Sequence, residues 1–180
     1  MKYILEGVET ERLRFRLLEE SDFENWLPLF YKENTALFLG MDTSLTPKEH
    51  CQFWFNKVFN RYENDLGGMN VLIDKNSNRL VGQCGLLIQT VREKQKLEIG
   101  YSVLPEFWGQ AYATEAAKKC RDLAFERQYN PDLISIVHPD NIASAMVAKK
   151  NGMQLAFPDE LHNGMPANIF QITREEWKKL

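Results

Sequence analysis

Hydrophobic and polar residues alternate over residues 10–17, with Leu13, Phe15 and Leu17 on one side and Arg12, Arg14 and Arg16 on the other, which predicts a first β-strand. The period then changes to a helical one. Phe23, Trp26, Leu27 and Phe30 recur behind a Ser21/Glu24 capping box, and Pro28 stands where it would kink or split that helix. Thr46, Pro47 and Glu49 form a second helix start, a cap followed by a first-turn proline and an acid three residues after the cap. The aromatic stripe behind it (Trp54, Phe55, Val58, Phe59 and Tyr62) reads either as core or as the lining of a substrate groove.

From Met69 the period returns to two. Strands over 70–74, 80–90 and 96–104, separated by Asn76-Ser77-Asn78 and by a charged turn, predict an antiparallel meander. In the last of them Leu97, Ile99, Tyr101 and Val103 share one face, and Glu98, Gly100 and Ser102 share the other, with Gly100 leaving space beside Glu98. Pro105 ends this strand. Residues 114–127 then predict a helix with Ala116, Ala117, Cys120, Leu123 and Ala124 inward, and 133–137 a short buried strand. A helix capped by Asn141 runs to Asn151 and stops at Gly152, after which strands 153–157 and 167–173 flank a loop containing Asn163-Gly164. Nothing along the chain resembles a linker or a repeat, so one domain over residues 1–180 is expected.

Charge and composition narrow the function classes. With 22 Lys+Arg against 25 Asp+Glu the net charge is −3, which gives no general attraction to nucleic acid or to an anionic membrane, and neither is expected as a partner. No apolar run approaches the roughly 18–20 residues of a membrane helix, and the opening Met1 to Glu6 turns acidic before a signal-peptide core could form, so a cytoplasmic protein is expected. Cys51, Cys84 and Cys120 are odd in number and lie far apart, offering neither a disulfide framework nor a metal-ligand pair; no metal is expected. Of the scattered histidines, His138 is the one placed for chemistry, just after an apolar run.

The segment 103–115 is the most informative. A strand feeds a loop of small residues that opens a helix, so free backbone N–H groups and the positive end of the helix dipole converge on a point suited to a pyrophosphate. No Gly-Lys-Ser/Thr follows, as a Walker loop would require, and a single glycine does not make a dinucleotide fingerprint. A plain strand-to-helix connection is the competing reading.

Together with four other blocks this loop resembles the GNAT superfamily of acyl-CoA-dependent N-acetyltransferases, in particular the branch containing the ribosomal-protein N-terminal (alanine/serine) acetyltransferases. The blocks are Glu11 to Arg16, Leu80-Val81-Gly82, Leu97 to Tyr101, Trp108 to Ala116, and Asn141 to Ser144 through Lys150 to Met153, in the same order and spanning about residues 8–177. The resemblance implies an α/β (α+β) fold with a mixed, mostly antiparallel central sheet, flanked by about four helices. Its fourth and fifth strands, here 96–104 and 133–137, would splay around the pantetheine arm of acetyl-CoA. Backbone groups of Tyr101 and Val103 would pair with that arm like an added strand, and Trp108, Gly109, Gln110, Ala111, Tyr112, Ala113 and Thr114 would cradle the pyrophosphate. Asn141 would stand on the far wall, a role compatible with helix capping. Lys118, Lys119 and Arg121 are either contacts of coenzyme A's terminal phosphate or surface charges.

Two departures bear on the chemistry. Ala111 stands where the family usually has glycine, and alanine is tolerated there if the residue has helical dihedrals. Ala148 stands where many members place the tyrosine that reprotonates the leaving thiolate; Ser144 matches the serine proposed for that role in the ribosomal branch, or is a small helix-surface residue. The implied reaction is acetyl transfer from acetyl-CoA to a primary amine by direct attack in a ternary complex, without metal. Glu98, on the wedge strand, would serve as base directly or through water; alternatively it attracts the ammonium substrate or pairs with an arginine such as Arg16. A protein α-amino group, with pKa about 7.7, is roughly 15–20% neutral at pH 7, against roughly 0.04% for lysine, so low-pKa amines need the least help. Protein N-termini and small-molecule amines remain open as acceptors, the protein is expected as a monomer or homodimer, and a catalytically silent acyl-CoA sensor is the competing function.

Overall fold

Leu13 and Phe15 enter the core at 0% and 1% exposure while Arg14 stays outside, which makes β1 (Leu13–Arg16) half-buried and shorter than the alternation suggested. The computed structural model describes residues 2–180 and places β1 at one edge of a seven-stranded sheet ordered β1-β2-β3-β4-β5-β7-β6. The following segment is a 3₁₀ turn (Glu20–Asp22), a one-turn α1 (Phe23–Trp26) and a second 3₁₀ turn (Leu27–Tyr31). The start is not the Ser21/Glu24 box. Glu19 and Asp22 form it instead, because the buried Asp22 carboxylate is already fixed by two 2.7 Å hydrogen bonds from Arg16 and accepts the Glu19 N–H at 3.0 Å. Pro28, lacking an N–H, breaks the α pattern as its position implied. A further single turn, α2 (Thr35–Phe38), is too short to announce itself by periodicity.

The helix α3 (Pro47–Glu63) begins at the Thr46/Glu49 box and buries Trp54, Phe55 and Val58. It crosses the meander of β2 (Gly67–Asp74), β3 (Leu80–Val91) and β4 (Lys94–Val103), all antiparallel. β2 starts three residues before the expected strand 70–74 because Gly67 and Gly68 pair with Leu87 and Leu86. At Gly68 a Cβ would lie 2.6 Å from the Tyr62 ring, so the glycine lets α3 approach the sheet.

The second half of the chain closes the sheet around α4 (Tyr112–Glu126), which packs on β3 and β4 through the buried Ala116, Ala117, Cys120 and Ala124. β5 (Asp132–Val137) lies parallel to β4 and meets it at a single position, Glu98 opposite Ile134. Its other side pairs in full with β7 (Met165–Thr173). Between them runs α5 (Ile142–Lys150), capped by Asn141 and ended at Gly152 with φ 82°. β6 (Gln154–His162) reaches the Asn163-Gly164 turn instead of stopping at 157, with register shifts on both sides of Phe157; as an edge strand it tolerates Pro158, whose missing N–H needs no partner there. The one-turn α6 (Arg174–Trp177) completes the chain. The fold is thus mixed α/β, and among the described residues its helices are three longer ones and three single turns. Among the described residues no helix is long and apolar enough to cross a membrane.

Candidate active site

The gap between β4 and β5 is built by hydrogen bonds that take the place of a ladder. Ser135 donates its hydroxyl to the Ile99 carbonyl at 2.8 Å, and the Trp108 indole N–H donates to the Val103 carbonyl at 2.6 Å. Since alternate strand residues turn their backbone groups the same way, Tyr101 also presents its N–H and carbonyl to the gap. Trp108 is 55% exposed and lies along the gap rather than in the core.

Beyond the gap, the loop before α4 passes through two left-handed residues, Gly109 at φ 76° and Ala111 at φ 64°, and α4 starts with no side-chain cap. The first-turn amides of Tyr112, Ala113 and Thr114 therefore have no intrahelical partner, and with the helix dipole they favour an anion. Arg12 braces the loop, donating to the Gln110 carbonyl at 3.0 Å and to Glu115 at 2.6 Å while stacking 4.3 Å from the Tyr112 ring centroid. Burial alone would raise the Glu115 pKa; hydrogen bonds from Thr10 and Arg12 outweigh it and hold the carboxyl below its ordinary value. Ala111 does not have the helical dihedrals under which alanine would fit without strain. A left-handed alanine costs about 1 kcal/mol relative to glycine. Arg121 is removed from the phosphate candidates, because it is buried and donates to the Asn151 carbonyl at 2.9 Å and to Asp122 at 2.8 Å. Lys118 is exposed.

A cavity of about 250 Å³ opens where β4 leaves β5, and it brings together Glu98, Tyr101, Asn141 and Ser144. Residues 108–114 do not line it. Glu98 is 9% exposed, and its Oε2 accepts the Gln89 side-chain N–H at 2.6 Å. Gln89 in turn accepts from Arg61 Nη2 at 3.2 Å, while Arg61 Nη1 donates to the carbonyls of Leu66 and Ile88. Arg16 is engaged with Asp22 and is not the partner of Glu98. The space at Gly100 is not open either, since a Cβ there would lie 2.7 Å from Leu87 and 3.1 Å from the Met69 sulfur.

Across the cavity the Tyr101 hydroxyl donates to the Ser144 carbonyl at 2.8 Å. Burial pushes this phenol up to about 12, against the opposing pull of hydrogen bonds with Ser144 and Ser135, so it stays protonated at neutral pH. Asn141 accepts the Ser144 N–H at 3.1 Å, which makes it both the cap of α5 and a wall of the cavity. His138 lines the cavity with its ring 5.3 Å from that of Phe38.

Among the lining residues that the sequence does not single out are Lys57, Arg61, Gln89 and His162. Lys57 and Arg61 are four apart and share the α3 face that carries Trp54 and Val58, a signal available in the stripe; Gln89 and His162 reach the site only through strand register and the β6–β7 hairpin. Burial lowers the His162 pKa, with Glu98 pulling it up and Lys57 down, so the imidazole is neutral at pH 7. Among the described residues no group of three or more His, Cys, Asp or Glu is placed to hold a metal. The arrangement offers an oriented carboxylate that can accept a proton from an ammonium, facing hydroxyls that can give one back.

Comparison with known proteins identifies the family and the fold. The model of the GNAT acetyltransferase domain matches residues 12–154. The protein YkkB of Bacillus subtilis is 30% identical over 80% of this chain and 83% of its own length, and the N-acetyltransferase YoaA of the same organism is 23% identical over 93% and 96%. Among solved structures, an acetyltransferase of Agrobacterium tumefaciens superposes with a TM-score of 0.76 at 24% identity, covering 93% of this chain and 94% of that one. A ribosomal-protein-S5-alanine acetyltransferase of Vibrio fischeri gives 0.67 at 20% identity over 94% and 97%. A spermidine N-acetyltransferase of Vibrio cholerae, solved with CoA and spermine, gives 0.69 at 16% identity over 94% and 99%. With the domain match covering most of its length, the chain belongs to the GNAT acetyltransferase family.

Proposed function

We propose that residues 1–180 form one N-acetyltransferase domain that moves the acetyl group of acetyl-CoA to a primary amine, of a protein N-terminus or a small molecule, by direct attack in a ternary complex. The observation that carries this reading is the cavity where β4 leaves β5, with Glu98, Tyr101, Asn141 and Ser144 on its walls. The chain's residues fit the donor: a strand edge that no neighbouring strand pairs at Tyr101 and Val103, its Val103 carbonyl held by the Trp108 indole, and an uncapped helix start behind two left-handed residues. Bound there, acetyl-CoA supplies the acyl thioester whose thiolate leaves.

The side chains divide the remaining work. The backbone of 108–114 holds the pyrophosphate, and Asn141 contacts the donor from the far wall. Glu98, aimed by Gln89, accepts the proton of the incoming amine directly or through water. Ser144 returns a proton to the thiolate, and the protonated Tyr101 hydroxyl beside it is a second donor on the same wall. No covalent enzyme intermediate is required, and the cysteines take no part.

Thermal unfolding with about 1 mM acetyl-CoA, with ATP and NAD as controls, tests the donor. Saturation to about 100 times Kd raises the melting temperature by roughly 5–10 °C in a domain of this size. Glu98→Gln and Ser144→Ala should then slow acetyl transfer while keeping that shift. No selective shift, or no transfer to any amine, overturns the reading and favours a silent acyl-CoA sensor or a protein that has lost the ligand.

A further inference from the structure

The cavity carries more positive charge than an amine site calls for. Glu98 is its one carboxylate, whereas Lys57 and Arg61 both enter it from one face of α3. The acids in the segments around it, Glu33, Glu49, Asp159 and Glu160, do not line it. Arg61 is 9% exposed, and its hydrogen bonds go to two carbonyls and an amide oxygen, none to a carboxylate. Lys57 has no ion-pair partner among the described residues. Buried charge is ordinarily paired, and Arg61 is buried without a carboxylate of its own; Lys57, exposed where it lines the cavity, adds a like charge four residues away on the helix, so the cavity holds two cations against one carboxylate. A polycationic amine would add to the imbalance.

Resting on the acetyltransferase reading, we propose that the acceptor is a primary amine carrying a carboxylate close to it. The amine lies toward Glu98 and the carboxylate toward Lys57, with His162 and Asn163, themselves 3.2 Å apart through Nε2 and Nδ2, on the neighbouring wall. A free amino acid has this chemistry, and so does a peptide N-terminus with Asp or Glu among its first residues.

The test is kcat/KM for acetyl transfer to matched pairs: an amino acid against its carboxamide, and a short peptide with Asp at position two against the Asn peptide. Spermidine serves as the polycation. The carboxamide has the less basic amine, so basicity alone works against the expected order. The expected result is a preference of about tenfold or more for the carboxylate in at least one pair, the pair identifying the source, and a fall of that preference to near unity in Lys57→Gln. Lys57→Arg should keep it. Equal rates within both pairs, or spermidine as the best acceptor, overturn this inference while leaving the acetyltransferase reading standing. Absence of transfer to every amine overturns both.

Discussion

Gln89 on β3 donates its side-chain N–H to Oε2 of Glu98 on β4 at 2.6 Å, although Leu87, not Gln89, lies directly opposite Glu98. The contact is diagonal, two residues along the neighbouring strand, within reach of long side chains on one face. It leaves Glu98 with one oxygen held and the other toward the cavity, and the far side of Gln89 is held by Arg61.

Loss of that orientation should appear in turnover. Gln89→Leu is expected to lower kcat about tenfold for every amine accepted, with the acetyl-CoA melting shift kept; Glu98→Gln should lower kcat about 100-fold or more. Steady-state kinetics with two unrelated amines checks this, and a change confined to the KM of one amine would assign Gln89 to substrate contact instead.

Ala111 at φ 64° stores conformational energy in the loop before α4. Ala111→Gly should stabilise the protein by about 0.5–1 kcal/mol, seen as a rise of about 1–4 °C in melting temperature, without weakening acetyl-CoA binding. Gly109→Ala should do the reverse, because at φ 76° an added Cβ meets no atom within 4 Å and the penalty is conformational alone.

Glu115 ties Thr10 and Arg12 to the first turn of α4. Its folded pKa lies below the unfolded value of about 4.5, so its contribution is fully present above pH 4.5 and is lost as pH falls through the folded value. Glu115→Gln is expected to cost about 1–2 kcal/mol at pH 7 and to flatten the stability curve below pH 4.5, measured by urea unfolding as a function of pH.

The three thiols should be chemically silent. Burial pushes Cys51 up to about 12, and Cys120, whose sulfur lies 3.5 Å from that of Cys84, is raised well above its ordinary value by burial. Single Cys→Ala variants should turn over acetyl-CoA at the parent rate, and the native protein should resist alkylation at pH 8. A variant that keeps its fold and acetyl-CoA binding but loses turnover would contradict the direct-attack mechanism.

Local patterns specified much of this molecule. The Thr46/Glu49 box and its aromatic stripe marked α3, alternation marked the β2–β3–β4 meander, and Asn141 with Gly152 bounded α5, since capping, period and turn chemistry are properties of neighbouring residues. The same locality made Glu98, Tyr101, Asn141 and Ser144 legible as candidates, through motifs contiguous in the chain. Tertiary structure decided what surrounds them. Whether Asp22 or Ser21 organises the first turn depends on Arg16 arriving from β1, and whether Gly100 is open depends on Leu87 and Met69 from other strands. The backbone of Ala111 is set by a loop pinned to Arg12, 99 residues earlier in the sequence. The charge balance of the cavity, from Lys57 and Arg61 to Gln89 and His162, exists only once α3, β3 and the β6–β7 hairpin converge on β4, because contact between distant segments is created by packing and not by spacing.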